Sequence, residues 1–128
     1  MMEYKNKVMI VDDNPIDQRI TEYILKLNHE TEDVITMTSA IDALAYLALN
    51  ANTPAALPSL IFLDLDMPVM NGFGFLQQFK EYADEVKAGC KIVVVTASEE
   101  IADIEKMKSD PYVIKLISKP LHRHSLVL

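Results

Sequence analysis

Cysteine occurs once in the 128 residues, as Cys90, so no intramolecular disulfide framework can form. A chain without such staples is compatible with a reducing cytosol, and a cytoplasmic location is expected. Positive charge is scarce. Twelve lysines and arginines face 19 aspartates and glutamates, a net charge of −7 with histidine neutral. Nucleic acid is therefore not expected as a direct partner, because neutralising phosphates needs a basic surface. No apolar run approaches the roughly 20 residues of a membrane span, so no membrane association is expected. The opening MMEYKNK is not followed by a long apolar segment, and no signal peptide is expected. Internal repeats and low-complexity tracts are also missing. What remains is a globular composition, half hydrophobic and 24% charged, at the length of about one domain. Residues 1–128 are read as that single domain. At this size a chain buries about two thirds of its unfolded surface and needs no structural metal to fold. The stretch Asn50 to Ser59 has Pro54 and Pro58 and resembles a linker, but neither side of it could build a core alone.

Four short runs are almost purely apolar: Val8–Val11, Leu60–Leu63, Ile92–Val95, and Val113-Ile114 with Leu116-Ile117. A fifth, Val34–Met37, is broken by Thr36. Between them apolar residues recur at helical spacing: Ile16, Ile20, Ile24 and Leu27; Leu76, Phe79, Ala83 and Val86; Ile101, Ile104 and Met107. Helix starts are signalled by Asn14 before Pro15, by Ser39 with Asp42 three residues on, and by Ser98 before Glu99-Glu100. Strands alternating with helices predict a parallel α/β sheet. Continuous apolar runs suit central strands, whereas breaks such as Thr36 and Lys115 suit edges. The expected fold is a doubly wound five-stranded parallel sheet of order 2-1-3-4-5, a flavodoxin-like three-layer sandwich.

In such a sheet ligands bind beyond the carboxyl ends of the strands. The first run leads into Asp12-Asp13, the run at 60–63 into Asp64 with Asp66 two residues on, the run at 92–95 into Thr96, and the last into Ser118-Lys119-Pro120. Carboxylates, a hydroxyl and an ammonium thus converge on one rim. Clustered carboxylates repel one another when ionised. A divalent cation relieves that repulsion, and all-oxygen ligands suit Mg²⁺ or Mn²⁺. Aspartate is a competent nucleophile for phosphoryl groups, and such transfer is mainly positioning and charge neutralisation.

The stretches VMIVDDNP, LIFLDLDMPVMNGFGFL, VVVTAS and ISKPL, in this order and spacing, resemble response-regulator receiver domains of two-component phosphorelays, of the single-domain, chemotaxis-regulator-like kind. The resemblance covers roughly residues 5 to 126. It implies that Asp64 is the phosphoacceptor. It implies a metal site of Asp12, Asp13, Asp64 and Asp66, with Asp13 binding directly, Asp12 through water and Asp66 through its backbone carbonyl. Thr96 and Lys119 would hold phosphoryl oxygens, and Lys119-Pro120 would be a cis peptide. The chain departs from the family at Leu116, where an aromatic switch residue is usual. The last helix, at most Leu121 to Leu128, would span only about two turns. Both departures fall on the family's usual output face.

A single-domain response regulator is therefore expected, not an enzyme acting on other substrates. It would take its phosphoryl group from a histidine kinase or phosphotransfer protein. Its output would be contact with a downstream protein or onward phosphotransfer, with no room for a further output domain. Two other readings stay open on the residues alone. A haloacid-dehalogenase-type phosphatase also uses a D-x-D pair, like Asp64-Leu65-Asp66, but carries it after an early strand. An interaction module could keep the fold and lose the chemistry, although the full acidic set argues against that. Gly72 is expected to let the chain turn into a helix. Cys90 is expected to be an inert thiol, and His122 and His124 to be solvated rather than a metal pair.

Overall fold

The computed structural model describes residues 7–28, 33–82, 84–97 and 100–122. The five expected strands form, as β1 (Lys7–Val11), β2 (Asp33–Met37), β3 (Leu60–Asp64), β4 (Lys91–Thr96) and β5 (Val113–Ser118). All pair in parallel, in the order β2-β1-β3-β4-β5. The helices are α1 (Pro15–Asn28), α2 (Ala40–Leu49), α3 (Gly72–Phe79), α4 (Asp84–Gly89) and α5 (Ile101–Lys108). Among the described residues no helix is long and apolar enough to cross a membrane.

Successive strand residues point to opposite faces, and two cores result. Met9, Val11, Ile61, Leu63, Ile92 and Val94 pack on one face with Leu44 and Leu47 of α2 and Phe75, Leu76 and Phe79 of α3. Val8, Ile10, Phe62, Val93, Val95 and Ile117 pack on the other with Ile24 and Leu25 of α1. The caps expected at two helices are present. Asn14 Oδ1 accepts the backbone N–H groups of Ile16 and Asp17 at 2.9 and 3.2 Å. Ser39 Oγ accepts that of Asp42 at 3.0 Å. The cap expected at Ser98 lies outside the described residues; Glu100 holds the cap position of α5, and its side chain does not cap the helix.

Two helices show more than their periodicity told. Of the stripe Ile16-Ile20-Ile24-Leu27 in α1, only Ile24 is buried. Ile16 is 67% exposed, and Ile20 and Leu27 are also exposed. The buried face is Gln18, Thr21, Ile24 and Leu25. The period is helical, but the phase is set by Gln18, whose Nε2 donates to the carbonyls of Asp12 (2.7 Å) and Met37 (2.9 Å). A buried amide satisfied twice offsets its desolvation. The segment Leu76 to Val86 is likewise two helices rather than one. The chain turns after Phe79, where Tyr82 Oη donates to the Leu44 carbonyl at 2.8 Å and so fastens the turn to α2. Leu76, Phe79 and Val86 are all buried, whereas Ala83 of the same stripe lies outside the described residues.

The stretch 50–59 folds onto the domain. Pro54–Ala56 form a single 3₁₀ turn, and Tyr46 Oη donates to the Ala56 carbonyl at 2.8 Å. Cys90 is buried, its Sγ lies 2.9 Å from the Pro58 carbonyl, and burial pushes its pKa up to about 11. It has the character of an inert thiol. His122 is exposed, whereas His124 and most of the expected last helix lie outside the described residues.

Candidate functional site

Asp12 follows β1 and Asp64 closes β3, at the carboxyl ends of adjacent central strands. Asp12 comes two residues after Ile10 and Asp64 two after Phe62, so the strand alternation sets both on the α1 side of the sheet. Lys119 comes two residues after Ile117 and joins them there. The two carboxylates are buried, and one oxygen each from Asp12, Asp13 and Asp64 lie within 4.8 Å of one another. Asp13 is exposed. Asp66, also exposed, adds no carboxylate to that group but donates its backbone N–H to Asp64 Oδ1 at 3.3 Å.

Lys119 Nζ stands among the acids, 3.2 Å from Asp12 Oδ2 and 3.6 Å from Asp64 Oδ1. Its nearest partner is one that spacing did not single out for the site. Asp17 Oδ2 lies 2.9 Å away, presented by the first turn of α1. From sequence Asp17 reads as a helix-start acid only. Its signal is topological, because α1 covers the sheet face toward which Lys119 points. Gln18 was also missed, since a glutamine in an apolar stripe carries no chemical signature.

The electrostatics follow from burial. Removal from water pushes Asp64 up to about 6; Lys119 opposes this shift and the charge of Asp12 adds to it. Asp12 is raised by burial as well, against the Asn14 N–H at 2.9 Å and Lys119. Burial alone would lower the pKa of Lys119, yet the hydrogen bond to Asp17 and the charges of Asp64 and Asp12 together raise it. The ammonium is therefore permanently charged, whereas Asp64 is ionised only above mildly acidic pH.

The loop after β3 is held tightly. Gly72 opens α3 because a Cβ there would stand 2.7 Å from Leu65 Cδ2 and 2.9 Å from Leu65 Cα. Close approach, rather than a positive φ, is what requires glycine at that position. Val69 has φ 69°, and the Met70 N–H bonds the Pro68 carbonyl at 2.8 Å, a three-residue γ-turn. For a β-branched residue that conformation is strained. Across the rim, Thr96 is buried and ends β4 one residue past Val95, the cross-strand partner of Asp64. The Lys119 N–H donates to the Thr96 carbonyl at 2.8 Å, and Lys119-Pro120 is cis, as expected. Leu116 pairs with Val94 and is half-buried against the α2–α3 core beside Tyr112, whose ring meets Phe79 edge-on at 5.4 Å.

The structure thus brings Asp12, Asp13, Asp64 and Lys119 together and adds Asp17. Thr96 stands at the same rim, while Leu116 lies one turn of the pleat below it. Three all-oxygen ligands at this separation fit a hard divalent cation.

Comparison with known proteins agrees with this fold. The family model described as the response regulator receiver domain matches residues 8–128. The chain is 35% identical over 106 residues to the Arabidopsis thaliana two-component response regulator ARR17, covering 78% of this chain and 66% of that protein. It is 29% identical over 117 residues to the probable transcriptional regulator ycf27 of Cyanophora paradoxa, covering 89% of this chain and 44% of that one. The chain therefore spans about half to two thirds of the length of these relatives. Among solved structures, a two-component response regulator from Cytophaga hutchinsonii superposes with a TM-score of 0.85 at 25% identity, covering 97% of this chain and 92% of the other. A receiver protein from Dyadobacter fermentans gives 0.76 at 30% identity, covering 91% and 88%.

Proposed function

The chain belongs to the response regulator receiver domain family, and from that membership we propose that Asp64 is its phosphoacceptor. Receiver domains are signalling phosphoacceptors, and they generally bind Mg²⁺ at an acidic pocket. The observation that carries the assignment is the position of Asp64. It is buried at the end of a central strand, within 4.8 Å of two further carboxylates and 3.6 Å from a lysine ammonium.

The donor is a phosphohistidine on a histidine kinase or phosphotransfer protein. An ionised Asp64 oxygen attacks phosphorus, the P–N bond breaks, and the electron pair leaves with the imidazole, which takes a proton. Asp12, Asp13 and Asp64, with the Asp66 carbonyl, would hold Mg²⁺ or Mn²⁺. When bound, the cation supplies positive charge that offsets the carboxylates and the incoming phosphoryl oxygens. Lys119 neutralises a phosphoryl oxygen from the α1 side, and Thr96 donates a hydrogen bond from the β4 end. With Asp64 near pH 6 in its titration, the nucleophile is ionised at neutral pH. Loss of the phosphoryl group to water resets the domain. The output is contact with a downstream protein or onward phosphotransfer in the cytoplasm. Leu116, without a polar tip, gives Thr96 little to couple to through β5, so phosphorylation is felt mainly in the loops after β3 and β4.

Acetyl phosphate with Mg²⁺ tests the assignment by intact mass. Wild type gains one phosphoryl group, labile to hydroxylamine as an acyl phosphate is, and Asp64→Asn gains none. A serine or threonine adduct that persists in Asp64→Asn would overturn it.

A further inference from the structure

Lys119 holds its ammonium closest to Asp17 rather than to Asp64. Nζ lies 2.9 Å from Asp17 Oδ2, 3.2 Å from Asp12 Oδ2 and 3.6 Å from Asp64 Oδ1. The first two contacts are hydrogen bonds; the third is a longer ion pair. An ammonium has three N–H donors, so two are committed to carboxylates before any phosphoryl group arrives.

The two hydrogen-bonded carboxylates differ in what they can give up. Asp12 is buried, and an anion left there without its cation would bear a full desolvation penalty. The Asp17 side chain is 35% exposed, so water can replace the ammonium at modest cost. Asp17 is also fixed from behind, because its backbone N–H bonds Asn14 Oδ1 at 3.2 Å in the cap of α1. The backbone that carries Asp17 therefore stays in place while the long, flexible lysine side chain moves.

Resting on the reading of Asp64 as phosphoacceptor, we propose that Asp17 is a positioning residue that draws Lys119 toward α1 in the unphosphorylated chain. A phosphoryl oxygen on Asp64 takes its place as the partner of Nζ. Asp17 competes with the phosphoryl group for one cation, and so lowers the affinity of the site for that group. No bond is made or broken at Asp17 itself. Its effect on the reaction is exerted through Lys119.

The probe is beryllofluoride in the presence of Mg²⁺, titrated into the full chain and followed by amide NMR. Three proteins are compared: wild type, Asp17→Asn, and Glu22→Gln. Glu22 is an acid of the same helix whose partner is Lys26 at 2.9 Å, so its variant controls for the loss of one negative charge. Asp17→Asn is expected to bind roughly two- to fivefold more tightly than wild type, the range of a partly exposed ion pair. Glu22→Gln is expected to match wild type. Damage to the fold would weaken binding, so a gain cannot come from a merely structural role. An Asp17→Asn affinity equal to or below that of Glu22→Gln overturns the proposal. Failure of wild type itself to bind beryllofluoride counts against Asp64 as phosphoacceptor instead. The Asp17 contact is then read in the probe-free protein from the Lys119 ammonium ¹⁵N resonance. Asp17→Asn is expected to shift that resonance and Glu22→Gln to leave it in place; an unshifted resonance in Asp17→Asn also overturns the proposal.

Discussion

Beneath α2 and α3 the sheet packs Met9, Val11, Ile61, Leu63, Ile92 and Val94 against leucines and phenylalanines, all of them buried. Beneath α1 the apolar cluster is smaller, and the helix brings Gln18 and Thr21 into it beside Ile24 and Leu25. At the rim of that second face stand Asp12, Asp64 and Lys119, answered by Asp17. One face is bound by non-directional burial, in which any well-filled apolar arrangement serves. The other adds to its own apolar cluster hydrogen bonds and ion pairs, which fix where each atom must be. The larger apolar core and the charged rim thus lie on opposite faces of the sheet. The apolar side supplies a rigid scaffold, and the α1 side carries charge that costs stability.

The largest test of that division is Phe79→Ala. Phe79 is fully buried on the scaffold side and stacks with Phe75 at 6.1 Å. Its removal is expected to cost about 3–5 kcal/mol in urea unfolding. A loss below about 1 kcal/mol would break the comparison, because that face would no longer be the source of stability. Next in size is Gln18→Ala. It removes the two bonds that tie α1 to the ends of β1 and β2. The expected cost is about 1–3 kcal/mol, the range for stranding buried polar groups. Amide shifts at Asp12 and Met37 should accompany it. A neutral effect would mean that α1 is held by its apolar residues alone.

The same division explains what could be read in advance. Strands, their order and the rim were legible, since buried parallel strands are continuous apolar runs and functional residues follow their ends. Asn14 and Ser39 were legible as caps because capping depends on a short polar side chain at one position. The phase of α1 was not. Four apolar residues at helical spacing give the period alone, and only the carbonyls of Asp12 and Met37 make Gln18 a core residue. The break after Phe79 was hidden because Leu76, Phe79 and Val86, apolar residues on both sides of it, are buried alike. The Asp17–Lys119 pair spans 102 residues and depends on which sheet face α1 covers. Local spacing holds no trace of it.

The acidic rim opposes folding. Asp64 carries the sign of that opposition. Its pKa is 3.8 ordinarily and about 6 in the folded chain. Well below pH 3.8 the group is protonated folded or unfolded and contributes nothing. Between 4 and 6 the folded chain holds a proton that the unfolded chain has released, so folded stability falls as pH rises. Above 6 the full penalty applies, a few kcal/mol at most, since each tenfold change in proton affinity is about 1.4 kcal/mol. The direct measurement is urea unfolding of metal-free wild type and Asp64→Asn at pH 4 and pH 7. The account predicts that Asp64→Asn is the more stable protein at pH 7 and that the gap closes toward pH 4. Equal stabilities at pH 7, or a gap unchanged between the two pH values, would contradict it.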